Sequence, residues 1–254
     1  MSLDPSGRQL SILSVLEEEG ACSILRLAER FDVSDETVRR DVKHLEVMGY
    51  VQKIHGGVRL PDNVFETPFR QRQHEESDAK QKIGERAAQL IEDGMTVSIE
   101  SSTTAFWVAR HITKQRNVSI ITNGLEIVRE VCGRNNNRVY LAGGEVSDTT
   151  MSTLGANALS FIQRFTPDMV ILGASAIHPE AGLCDFHLAE ADFASALLEQ
   201  SLSAKIVVIA DSTKFMKRGL VKVCDFDKID ILVTDRMPEG ELASALNGID
   251  IIIA

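Results

Sequence analysis

Arg39, Arg40, Lys43, Lys53 and Arg59 are five cations set against two acids, Asp41 and Glu46, so the stretch from Arg39 to Arg59 carries +3 inside a chain of formal net charge −10. A solvated helix face accounts for any one of these groups taken singly. Their concentration in one window of an acidic chain fits a different chemistry, because lysine and arginine gather where they meet phosphates and release condensed counterions. Double-stranded DNA is the expected partner. A second set of residues suits a small anion. Glu100-Ser101-Ser102-Thr103-Thr104, Thr122-Asn123-Gly124, Ala142-Gly143-Gly144-Glu145 and Gly173-Ala174-Ser175 are small, hydroxyl-bearing or glycine-rich runs, and Asp211 and Lys214 follow a later apolar run. Small residues let backbone amides approach an anion, hydroxyls add donors, and a lysine neutralises phosphate charge. Glu100, Asp185, Glu190 and Asp211 can accept hydrogen bonds from sugar hydroxyls. Ordinary helix capping explains each loop taken alone. The same acids are also the types that move protons on a sugar phosphate, which keeps a sugar-phosphate-processing enzyme as the alternative.

The cations need a helix to present them. Ser34 is a suitable N-cap, with Asp35 and Glu36 in the first turn where the dipole favours negative charge. Val38, Val42 and Leu45 then form one apolar stripe, which turns Glu36, Arg40 and Lys43 outward with Thr37, Arg39 and His44 on the shoulders. A preceding helix carries Ile24, Leu27, Ala28 and Phe31, with Ser23 as its cap and Asp32-Val33 as a tight connection. Upstream, Leu10, Ile12, Leu13, Val15 and Leu16 make a third helix closed by Gly20. Downstream, Gly49 ends the outward-facing helix, Tyr50 to Ile54 reads as a strand, Gly56-Gly57 as a turn needing positive φ, and Val58 to Leu60 as the returning strand. Three helices and a hairpin make a winged helix-turn-helix, an architecture that lays one helix in the major groove. The candidate DNA contacts are Ser34, Glu36, Thr37, Arg39, Arg40, Lys43, His44, Lys53, His55 and Arg59.

Residues 1–60 form this expected DNA-binding domain, and 61–76, polar and holding Pro61 and Pro68, an irregular linker. A helix from Ser77 to Asp93, capped by Ser77 or Asp78 and stopped by Gly94, opens a larger domain over 77–254. Seven apolar runs follow: Met95 to Ile99, Val118 to Thr122, Arg138 to Leu141, Met169 to Leu172, Lys205 to Ala210, Ile231 to Thr234 and Ile249 to Ile253, mostly separated by helix-like segments. That alternation predicts an α/β domain with a mostly parallel sheet, whose ligands collect where strand carboxyl ends meet helix N-termini. The candidate effector-binding residues are Glu100, Ser102, Thr103, Thr104, Asn123, Gly143, Gly144, Ser175, Asp185, Glu190, Asp211 and Lys214.

The strings Leu27-Ala28-Glu29-Arg30-Phe31-Asp32-Val33-Ser34, Thr37-Val38-Arg39-Arg40-Asp41-Val42 with Leu45, and His55-Gly56-Gly57 resemble the DNA-binding signature of DeoR-type bacterial transcription regulators. Leu141-Ala142-Gly143-Gly144-Glu145, Gly173-Ala174-Ser175 and Asp211-Ser212-Thr213-Lys214-Phe215 resemble that family's sensor domain, so the likeness spans nearly the whole chain. The resemblance implies a sensor fold similar to sugar-phosphate isomerases, a phosphorylated sugar or polyol as effector, and repression of a carbohydrate or polyol catabolic operon relieved by that effector. A ligand-dependent activator is the alternative within the same family. The family's Asp-x-Gly-Thr-Thr loop is Glu100-Ser101-Ser102-Thr103-Thr104 here, with a longer acid and no glycine.

With 254 residues, 44% of them hydrophobic, the chain has room for one small and one larger core. Met1 to Arg8 has no leader-like pattern and no apolar run approaches spanning length, so a cytoplasmic protein with no membrane partner is expected. Cys22, Cys132, Cys184 and Cys224 are scattered, as reduced thiols are. Cys184-Asp185-Phe186-His187 with His178 nearby is short of a convincing metal set, and loop packing is the expected reason for its composition. No cofactor, metal or catalytic residue is expected. One winged helix covers few base pairs, so a homo-oligomer reading spaced half-sites is expected.

Overall fold

The structure, a computed structural model, describes residues 7–47, 50–54, 56–59, 68–200 and 203–254. The chain divides into two compact units, Met1–Pro68 and Phe69–Ala254.

In the first unit, α1 (Gly7–Glu19), β1 (Ala21–Ser23), α2 (Ile24–Phe31), α3 (Asp35–Val47), β2 (Gln52–Ile54) and β3 (Gly57–Arg59) follow in order. Ile12, Leu16, Leu27, Val38, Val42, Leu45 and Val58 are fully buried together, so the three apolar stripes do meet in one core. The local signals act as expected. Ser23 Oγ accepts from the Arg26 amide at 3.2 Å, Asp32 closes α2 at φ 51°, and Ser34 Oγ accepts from the Thr37 amide at 3.3 Å. The hairpin is wider than the sequence pattern suggests, because β1 joins it in a three-stranded antiparallel sheet of order β1-β3-β2. Gly56 takes the turn at φ +76°. Gly57 is there for a different reason: a Cβ on it would sit 2.7 Å from the Cys22 carbonyl oxygen. Gly49, His55 and Leu60 lie outside the described residues.

The second unit runs α4 (Phe69–Arg72), α5 (Ser77–Ala88), β4 (Thr96–Ile99), α6 (Thr103–His111), β5 (Ser119–Thr122), α7 (Leu125–Val131) and β6 (Arg138–Leu141). It continues with β7 (Glu145–Ser147), β8 (Ser152–Leu154), α8 (Ala156–Ile162), β9 (Met169–Gly173), β10 (Ala176–His178), β11 (Gly182–Asp185) and α9 (Leu188–Gln200). It closes with β12 (Lys205–Ile209), β13 (Val221–Cys224), β14 (Ile231–Thr234), α10 (Gly240–Ala245) and β15 (Asp250–Ile253). The seven apolar runs all become strands of one seven-stranded sheet of order β15-β14-β12-β9-β4-β5-β6, every neighbouring pair parallel. Ile83, Ile99, Ile120 and Ile171 pack on one face, and Ile121, Val170, Leu172 and Phe193 on the other, the two-sided burial that parallel strands require. The chain begins this sheet at β4, steps through β5 to β6, then returns to β9 beside β4 and steps the other way. The β4/β9 boundary is therefore the point at which strand order reverses, where ligands of open α/β sheets collect.

Three expectations need correction. Residues 69–76 are not irregular linker: Phe69 is 2% exposed, its amide donates to the Thr149 carbonyl at 2.7 Å, and α4 packs within the α/β unit. The helix expected over 77–93 ends at Ala88, and its N-cap position is Glu76, at φ 50° with no side-chain cap, rather than Ser77 or Asp78. Two antiparallel pieces absent from the sequence reading, the β7-β8 hairpin and the β10-β11-β13 sheet, hang on the carboxyl side of the main strands. Their strands are three or four residues long, too short to show a period of two.

Candidate functional site

On α3 the face opposite the core is open. Glu36, Arg39, Arg40 and Lys43 are exposed, and among the described residues the two arginines make no hydrogen bond or ion pair. The other charges of the window are occupied. Asp41 turns inward, 6% exposed, where it takes Arg8 Nε at 2.6 Å and fastens α3 to α1. Lys53 Nζ sits 2.5 Å from Glu46, whose carboxyl that bond holds below the ordinary carboxylate range. Arg59 reaches Gln52 Oε1 at 2.8 Å across the hairpin. His44 leans toward α1, with Nδ1 3.0 Å from Gln9 Nε2, so its shoulder position is partly spent on packing. Ser34 and Thr37 share a 2.9 Å hydroxyl contact at the start of α3, which makes them anchors of the helix end as well as candidate phosphate donors. His55 is not described.

In the α/β unit, parallel pairing of β4 with β9 sets Glu100 beside the end of β9, its amide donating to the Ile171 carbonyl at 3.0 Å. Glu100 is buried, as are Thr103 and Thr104. Ser102 Oγ accepts from the Ala105 amide at 3.0 Å and caps α6, leaving the first-turn amides of Thr103 and Thr104 without intrahelical acceptors. Gly173 must be glycine, because a Cβ there would lie 2.6 Å from both Cβ and Oγ of Ser102. Ser102 occupies the place of the glycine in the resembling loop, and the close approach has moved to its partner across the β4/β9 boundary. The helix end, its positive dipole and two hydroxyls thus converge where the strand order reverses.

Several sequence candidates prove to hold this cluster in place. Asn123, 2% exposed, accepts from the Ser101 amide at 2.9 Å and donates to the Thr153 carbonyl at 3.3 Å, tying the loops after β4 and β5 to β8. Asp185 accepts from Ser175 Oγ at 3.0 Å and from the His187 amide at 2.8 Å, so its carboxylate clasps the loop after β9 to the end of β11. Asp211, almost fully buried, caps the short turn Ser212–Lys214 through the Thr213 amide and hydroxyl. That turn follows β12, the strand next to β9, and delivers Lys214 to the same edge. Gly143 and Gly144 follow β6, two strands from β4, in a loop that Thr153 ties to Asn123 by donating to the Ala142 and Asn123 carbonyls, and Gly144 is glycine because a Cβ would meet the Leu154 carbonyl oxygen at 2.6 Å. Glu190 stands half-buried in the first turn of α9.

Sequence reasoning passed over Lys80. It sits on the buried side of α5, 3% exposed, and donates from Nζ to the Arg72 carbonyl at 2.5 Å. Burial first, and the neighbouring Lys214 second, press its pKa down to about 8, against the upward pull of Asp211 and Glu75. The signal was present. Lys80 falls three and seven residues before Ile83 and Ala87, so a cation occupies a position that the helical period reserves for an apolar group. The cysteines point to packing, but in a strand rather than a loop: Cys184 lies in β11 with its thiol directed at the Ala181 and Gly182 carbonyls, and burial pushes the Cys224 thiol up to about 12. Among the described residues no group of three His, Cys, Asp or Glu converges as a metal would need. None of their helices is long and apolar enough to cross a membrane.

Comparison with known proteins matches both units. A family model described as the DeoR-like helix-turn-helix domain covers residues 8–64, and one described as the DeoR C terminal sensor domain covers 75–236. The glycerol-3-phosphate regulon repressor of Escherichia coli (strain K12) is 31% identical over 239 residues, 94% of each chain. Transcriptional repressor AccR of Agrobacterium fabrum (strain C58) is 34% identical over 230 residues, 90% of this chain and 88% of that one. Ribose 5-phosphate isomerase from Plasmodium falciparum is a partial likeness in fold, with a TM-score of 0.39 at 16% identity over 56% of this chain and 54% of that one.

Proposed function

The chain belongs to the DeoR family of transcriptional regulators, and from that premise we propose that it is a DNA-binding repressor released from its operator by a phosphorylated sugar or polyol. It is a regulator rather than an enzyme, as both family descriptions and the relatives' names have it. The observation that carries the DNA reading is the outer face of α3. Arg39 and Arg40 stay in solvent without acidic partners in a chain that has ten more acids than bases. A charge excess of that sign repels DNA everywhere except where such a face is offered. Arg40 and Lys43 reach base edges and phosphates, Arg39 and Lys53 phosphates, and Ser34 and Thr37 the backbone next to the helix start.

The effector reading rests on the helix end at Ser102 to Thr104 and on Lys214. A phosphate accepts from first-turn amides of α6 and pairs with the lysine, while Glu100 takes a hydroxyl of the carbon chain. The E. coli relative, named for a glycerol-3-phosphate regulon, makes a phosphorylated polyol the first candidate. Two copies reading spaced half-sites supply affinity that one winged helix lacks, and the effector shifts the population of the DNA-competent arrangement. The test pairs two measurements on the full chain. A thermal-shift screen of phosphorylated metabolites finds ligands that bind the native state, and gel shift on the protein's own promoter region follows release by each hit. Lys214→Ala is expected to abolish the shift while leaving DNA affinity without ligand intact. A wild-type protein with no salt-sensitive affinity for that DNA refutes the reading.

A further inference from the structure

We infer that His44 contacts a backbone phosphate of the operator by donating from Nε2, and that Gln9 is the positioning residue that turns this donor outward. The inference rests on the DNA reading above and adds two residues to it. The chain of contacts begins at Arg8. An arginine can only donate, and its Nε lies 2.6 Å from Asp41 Oδ2, so the carboxylate is held as an acceptor on the inner side of α3. The other oxygen, Oδ1, faces the side-chain amide of Gln9 at 3.4 Å. A carbonyl turned toward Oδ1 would set two acceptors against each other, so it is the NH2 group of Gln9 that meets Asp41. The same nitrogen stands 3.0 Å from His44 Nδ1. An amide nitrogen has hydrogens to give and no lone pair to accept with, so Nδ1 must accept. The proton of the neutral imidazole is then on Nε2. Gln9 is 6% exposed, and water competes little for the arrangement.

The direction of that proton matters because of where His44 stands. Its Nε2 makes no hydrogen bond among the described residues, while Nδ1 is turned toward α1. His44 lies one helical turn beyond Arg40, in the C-terminal half of α3. The first turns of a recognition helix reach base edges, and groups further along it meet the strands that border the groove. A donor at that place finds phosphate oxygen. A neutral imidazole differs there from Arg40 and Lys43 in one measurable way, since it bonds to a phosphate without neutralising it and releases no counterion. His44 thus fixes register on the duplex, and the cations supply the salt-sensitive affinity. A ring free to turn would divide its proton between two nitrogens and two directions, and the Gln9 amide removes that freedom.

The experiment uses the full chain at pH 8, where an ordinary imidazole is neutral, and a duplex from the protein's own promoter region. Nitrogen-15 spectra of the His44 ring, assigned by their loss in His44→Ala, are expected to show one tautomer with Nε2 protonated and Nδ1 bare. A ring protonated at Nδ1, or an average of both forms, overturns the proposal. In fluorescence anisotropy His44→Ala is expected to bind about tenfold more weakly or worse, the loss of a hydrogen bond to a charged group, with an unchanged slope of log affinity on log salt. Unaltered affinity overturns the contact, and so does a slope reduced by about 0.9 per protomer, which belongs to a cation. Gln9→Leu is expected to weaken the wild type about 2- to 10-fold and to cost nothing further in His44→Ala. Equal losses in both backgrounds overturn the positioning role, because Gln9 then acts through Asp41 alone. Thermal melts establish that each variant folds. If Gln9→Leu does not, the wild-type spectrum and His44→Ala decide by the same criteria. All these outcomes leave the DNA reading standing, whereas a wild type with no salt-sensitive affinity for that duplex removes both.

Discussion

A lysine kept on the buried side of α5 leaves a mark on stability that is measurable without any ligand. Its pKa falls from the ordinary 10.5 to about 8 on folding. A lowered lysine pKa means that the unfolded chain binds the proton more tightly than the folded one does. The charge therefore works against folding in full below pH 8, and the penalty fades as pH rises toward 10.5. At 1.36 kcal/mol per pH unit the full penalty is about 3 kcal/mol, and roughly 2.5 kcal/mol of it disappears between pH 7 and pH 10. Lys80→Met removes the titrating group. Relative to the variant, wild type is expected to gain roughly 2.5 kcal/mol of stability over that interval, a difference in which titrating groups remote from Lys80 cancel. At pH 7 the variant is the more stable of the two, reduced by about 1 to 3 kcal/mol for leaving the Arg72 carbonyl without its donor. Urea unfolding of both proteins at pH 7, 8, 9 and 10, followed by far-ultraviolet circular dichroism, reads the difference directly. Parallel pH profiles refute the reasoning, because they place the lysine in water in the folded state.

Two further outcomes follow from the geometry. Arg40→Ala is expected to weaken operator binding by about 1 to 3 kcal/mol if it reads a base. If it instead contacts phosphate, the slope of log affinity on log salt falls by about 0.9 per protomer, close to a tenfold change in the wild-type to variant ratio between 50 and 200 mM for a dimer. Fluorescence anisotropy over that salt range separates the two, and a variant with neither change takes Arg40 out of the interface. Gly173→Ala places a Cβ 2.6 Å from Ser102 and must displace the cap of α6, an overpacking cost of about 1 to 3 kcal/mol. A drop in melting temperature of roughly 2 to 12 °C, with weaker effector response, is the expected pair, and an unshifted melt shows that the strand ends give way at no cost.

The parts of this fold that could be read from the sequence are those where one signal repeats along the chain. Val38, Val42 and Leu45 announce the buried side of α3 because a helix repeats its stripe, and Val- and Ile-rich runs announce parallel strands because both faces are covered. The capping residues Ser23 and Ser34 were legible for the same local reason. Strands β1, β7, β8, β10, β11 and β13 were not, since three or four residues display no period and their pairing is decided by distant segments. The site divides along the same line. The helix start at Ser102 to Thr104 and the place of Lys214 in the turn after β12 were legible from type and position after a strand. The placing roles of Asn123 and Asp185 were not, because the partners that join them to other loops lie 10 to 30 residues away in sequence. Gly144 was read as a residue that lets an anion approach, whereas the structure gives it a packing reason, the Leu154 carbonyl that a Cβ would meet at 2.6 Å, and that partner is not written in its own loop.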